Sequence, residues 1–133
     1  MREEREMEQG LTREELIELM AILMEEEGFE IYEPEAEGEE YLPDFLAVYE
    51  GEDGEKQQIA VQVEDCNTLK TEEAEKRAKA IAEHVRRSGE GFIFVVPMEC
   101  EEEGSKKFEE WGLSDVAEFV PIGIEFEEEE EEK

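Results

Sequence analysis

The stretch GFIFVVP (residues 91–97) limits the possible folds of this chain more than any other segment. Its apolar side chains follow one another without a polar partner, so a strand formed from them has no face to give to water. Such a strand must be covered on both sides, which places it inside an α/β sheet with helices packed on it. The segment before it supports this. Ala74, Ala78, Ile81, Ala82 and Val85 line one face of a helix over about residues 71–88. Lys76, Lys79, Glu83, Arg86 and Arg87 line the other. A helix between two strands is a crossover, so the strand before it and the strand after it run parallel.

The remaining elements fit around that unit. In LTREELIELMAILMEEEGF, Thr12 and Glu15 form a capping box, and Leu11 and Leu16 take the positions of a hydrophobic staple. Leu16, Ile17, Met20, Leu23 and Met24 then repeat at helical spacing, and Gly28 ends the helix. FEIYE reads as a short strand, followed by the polar loop EPEAEGEE. A second strand over residues 44–50 turns through GEDGEK into a third, QQIAVQVED, giving an antiparallel meander. After the apolar strand, SKKFEEWG reads as a short helix from Ser105 stopped by Gly112. VAEFVPIGI reads as a last strand, broken or held at an edge by Pro121. The expectation is one α/β domain over residues 11–124. It has an αβββαβ core with a mixed sheet plus a small C-terminal helix and strand, between a charged lead-in (1–10) and an acidic tail (125–133).

Composition bears mainly on partners. Forty-three acids against thirteen bases give a net charge of −30. Such a surface repels polyanions, whereas nucleic-acid binders show the opposite sign. Only residues 70–87 are locally basic, so contact with nucleic acid is expected only through a partner, and a basic protein is the alternative partner. Cys66 and Cys100 have no CxxC spacing, so the expectation is two reduced thiols. With no signal-like start and no apolar run of membrane-spanning length, a cytoplasmic chain without a membrane association is expected. The single histidine, His84, excludes a His-based triad or a His cluster for zinc, and no phosphate-binding Gly motif follows a strand.

Polar groups collect at the end of the third strand, in IAVQVEDC (residues 59–66). Side chains alternate along a strand, so Ala60, Gln62 and Glu64 share one face. Asp44, in the dipeptide PD at the start of the neighbouring strand, can face Gln62 and Glu64 across the sheet. Oxygen ligands from two adjacent strands suit a hard ion such as Mg²⁺, which activates water and stabilises charge in phosphodiester cleavage. The plain alternative is that Asp44 caps a turn while Gln62 and Glu64 are solvated strand-end residues.

The order αβββαβ, with PD opening the second strand and a polar pair at i and i+2 ending the third, resembles the PD-(D/E)XK nuclease superfamily over residues 11–97. The resemblance implies a restriction-endonuclease-like fold and a Mg²⁺ site, with Asp44 and Glu64 as metal ligands and Asp44, Gln62 and Glu64 in the catalytic positions. An acid from the first helix often joins such sites, and Glu18 is the candidate here. Lys76 and Lys79 are candidate phosphate contacts. The pattern departs from the family in its third strand. An acid, any residue and Lys are expected there, and QVE stands in their place. The alternative register EDC would put Cys66 where Lys belongs and is less favourable. The leading expectation is a nuclease-related domain with weak or absent catalysis, acting in binding or regulation. The alternatives are an active Mg²⁺-dependent nuclease using Asp44 and Glu64, and an acidic protein that mimics nucleic acid or docks on a basic partner.

Overall fold

A computed structural model of the chain describes residues 12–33 and 43–123. The charged lead-in, Leu11 of the staple, most of the polar loop after the first strand and the acidic tail lie outside the described residues. Helix α1 (Arg13–Glu26) is followed by strands β1 (Glu30–Tyr32), β2 (Phe45–Glu50) and β3 (Lys56–Val63). Helix α2 (Glu72–Ser88), strand β4 (Gly91–Pro97), helix α3 (Glu101–Glu110) and strand β5 (Glu118–Ile122) complete the order. Among the described residues these form one five-stranded mixed sheet in the order β1-β2-β3-β4-β5.

Local chemistry sets the boundaries. Thr12 Oγ1 accepts from the Glu15 N–H at 3.2 Å, and Glu15 Oε1 accepts from the Thr12 N–H at 3.0 Å, which closes the capping box of α1. Leu16, Met20 and Met24 form the buried stripe of α1. Leu23, expected within it, sits at its margin and is exposed. The β2–β3 turn closes through Gly51 N–H to Glu55 O at 2.8 Å, with Gly54 at a φ of +85° that only glycine adopts readily. Thr71 caps α2 by accepting from the Ala74 N–H, and Gly89 ends it in the left-handed region.

Register follows from these turns. Ala47 lies between Ile31 and Ile59 in the antiparallel part of the sheet, and Val61 pairs with Ile93 where β3 and β4 run parallel. Strand β5 adds parallel to β4 and carries Pro121 opposite Val96, at the sheet edge, where a residue without an N–H is tolerated.

The sheet is covered on both faces, as the apolar run of β4 requires. Leu16, Met20 and Met24 of α1 pack with Phe45, Val61, Val63 and Val95 on one face. On the other, Ala74, Ala78, Ile81 and Val85 of α2 pack with Ala60, Phe92, Phe94 and Val96, joined by Phe108, Trp111 and Leu113. The fully buried Phe94 ring lies 6.1 Å from that of Phe108 and meets Trp111 edge-on.

Two expectations are corrected. Helix α3 begins at Glu101, straight after a 3-10 turn over Met98–Cys100, and not at Ser105. The reason is Gly104, which lets the helix run close to Val96 and Phe119 and so join the core a turn earlier. The cysteines are not free thiols: Cys66 and Cys100 form a disulfide, with Cα atoms 5.8 Å apart. Strands β3 and β4 are parallel neighbours, so the segments leaving them emerge side by side and bring the two sulfurs together. Among the described residues, no helix is long and apolar enough to cross a membrane.

Candidate functional site

The end of β3 holds two buried polar side chains, Gln62 and Glu64, both without measurable exposure. This overturns the plain reading of them as solvated strand-end groups. Asp44, one residue before β2, is tied to β3 by its N–H, which donates to Val61 O at 2.8 Å. Val61 is the partner of Phe45 in the ladder, so this bond holds Asp44 beside the end of β3 just outside the regular β2–β3 pairing. Asp44 Oδ2 in turn accepts from the Val63 N–H at 2.7 Å. Glu64 is held by its own N–H, which donates to Val95 O at 3.0 Å. Asp44, Gln62 and Glu64 are thus brought to one neighbourhood at the sheet end.

Two residues not singled out from the sequence complete the cluster. Arg77, on α2, donates from Nη2 to Glu64 Oε2 at 2.8 Å and from Nη1 to Asp44 Oδ1 at 3.4 Å. Arg13, the first residue of α1, donates from Nη2 to Asp44 Oδ1 and from Nε to Val63 O at 2.9 Å. Arg13 Nε also lies 3.5 Å from Glu64 Oε1. Helix α1 packs on one face of the sheet and α2 on the other, so the guanidiniums meet around the sheet end and fasten both helices to the same two carboxylates.

Gln62 completes the network: its Nε2 donates to Glu64 Oε2 at 2.6 Å and to Ala74 O at 3.2 Å. Burial pushes the Asp44 carboxyl above its ordinary pKa, with the Glu64 charge adding to the rise. The Val63 N–H and then Arg13 and Arg77 pull against it. Two carboxylates and two guanidiniums leave the cluster formally neutral. Removing one partner from such a buried set costs about 3–5 kcal/mol, because the other charge is left uncompensated.

Other candidates lie elsewhere. Glu18 is exposed on α1. Lys76 and Lys79 are exposed on α2, and Lys79 Nζ pairs with Glu75 Oε2 at 2.7 Å. His84 is half-buried, with Nε2 3.6 Å from Glu90 Oε1. Arg77 had a sequence signal. It falls three residues after Ala74 and four before Ile81, within the apolar stripe, and a base at such a position needs a buried acid. Arg13 had none beyond its place in the first turn of α1.

The donors do not suit the Mg²⁺ ion that the resemblance implies. An ion on Asp44 Oδ1 and Glu64 would sit beside two guanidiniums. Unit charges 4 Å apart repel by about 4 kcal/mol at an effective dielectric near 20, and a divalent ion doubles that. Among the described residues, no group of three or more His, Cys, Asp and Glu side chains is placed to share an ion. A groove of about 380 Å³ opens beside the cluster and is lined by Arg13, Glu64, Thr68, Thr71, Glu73, Ala74 and Arg77. Comparison with protein-family models, curated proteins and solved structures finds no match to this chain.

Proposed function

We propose that this chain is a restriction-endonuclease-like domain whose catalysis is weak or absent and whose role is binding or regulation. The element order supports the reading: a helix, an antiparallel three-strand meander, then a crossover helix to a parallel strand. So does the meeting of Asp44, Gln62 and Glu64 where β2 begins and β3 ends. The observation that carries the loss of catalysis is the bonding of both carboxylates to Arg13 and Arg77. Carboxylates committed to guanidiniums are poor ligands for the ion that would activate water, and Glu64 stands where a lysine is needed. The test is incubation of the full chain with duplex and branched DNA in Mg²⁺ or Mn²⁺. No cleavage above the buffer control is expected. Rapid metal-dependent cleavage, abolished by Asp44→Ala, would overturn the reading.

A second reading rests on the net charge of −30, which favours a basic protein as partner. Capture of basic DNA-binding proteins that is lost at high salt supports it, and capture insensitive to salt counts against it.

A further inference from the structure

We infer that Arg13 and Arg77 act as guards of the Asp44–Glu64 pair: they hold the place of a cation and exclude divalent ions while they remain there. The inference deepens the proposed function and rests on it for the site concerned. Its readout is ion binding, so DNA cleavage and ion entry are separate failures. Three observations carry it. Asp44 Oδ1 faces both guanidiniums, and Glu64 Oε2 takes Arg77 together with the Gln62 amide, so the best-placed oxygens are already occupied. Gln62 Oε1 and Glu64 Oε1 are buried acceptors that no donor satisfies by hydrogen bonding, so the oxygen set is larger than the two arginines use. With both arginines the cluster is neutral, whereas without them it carries the two negative charges that a divalent ion balances.

The guards also have a way out. Each arginine side chain is about a quarter exposed, and both line the groove that Glu64 shares. Shortening or neutralising them therefore uncovers the oxygens without requiring the backbone to move.

A chain this acidic takes up divalent ions over its whole surface, so the experiment must report position. Mn²⁺ is titrated into the ¹⁵N-labelled full chain, and paramagnetic broadening of backbone amides is followed residue by residue. In the wild-type chain, the amides of Val63, Glu64 and Asp65 keep their intensity at Mn²⁺ levels that already broaden exposed glutamates. In the Arg13→Met/Arg77→Met variant, the same amides broaden at Mn²⁺ levels lower by about tenfold or more, corresponding to at least ~1.4 kcal/mol of binding. Adding Asp44→Asn reverses the gain. Early broadening of these amides in the wild-type chain would overturn the inference, as would a folded double variant that shows no gain. Should the double variant fail to fold, Arg77→Met alone carries the same expectation, and the wild-type titration remains decisive against it.

Discussion

The amide nitrogen of Gln62 lies between two acceptors, Glu64 Oε2 and Ala74 O, and its two N–H groups serve both. An ionised glutamate at this position would bring oxygens against oxygens and a third negative charge into a cluster with two cations. Gln62→Glu, the change that would restore the acid of the nuclease pattern but not its lysine, is therefore expected to destabilise the fold by about 2–4 kcal/mol at neutral pH. Urea denaturation of the two chains measures it, and an unchanged midpoint would show that the amide is not needed. Asp44, Gln62 and Glu64 could be read from the sequence because strand alternation and an antiparallel neighbour are short-range rules. Arg77 left a trace as a base within the apolar stripe of α2, whereas Arg13 left none. Arg13 reaches partners 31 and 50 residues away, and nothing in the local pattern tells where so long and flexible a side chain settles.

Helix α3 shows how packing overrides a local signal. A serine before a run of helix formers looks like a helix start, yet α3 begins four residues earlier and buries Gly104 against the sheet. A Cβ added at Gly104 would lie 2.9 Å from Val96 Cγ2 and 3.2 Å from the Phe119 ring. Gly104→Ala gains about 1 kcal/mol in helix propensity but meets overpacking that costs about 1–3 kcal/mol. The expected net effect is a loss of up to about 2 kcal/mol, seen as a lower denaturation midpoint. A more stable variant would mean that α3 shifts outward at no cost. Helices α1 and α2 were legible because their caps and stripes agree. The disulfide was not, because the closeness of Cys66 and Cys100 is a property of the parallel β3–β4 pair and not of their spacing.

At the level of the whole molecule, two kinds of charge oppose each other. The surface carries most of a net −30 and repels itself, whereas the Arg13–Asp44–Glu64–Arg77 cluster is neutral and largely buried. Salt screens exposed charges, with a Debye length falling from about 30 Å at 0.01 M to about 3 Å at 1 M, and acts much less on buried pairs. Stability is therefore expected to rise with salt, by several degrees in Tm between about 0.01 and 0.5 M NaCl. A flat or falling Tm would mean that exposed ion pairs outweigh the self-repulsion. The α/β class was readable at this scale because one apolar strand in so polar a chain admits few surroundings.

The bond between Cys66 and Cys100 has a topological consequence. It closes the connection from β3 through α2 to β4 into a ring, with Arg77 inside it and Asp44 and Arg13 outside. One cut in the backbone of that ring opens the loop without parting the chain, so the two pieces stay one molecule until the sulfurs are reduced.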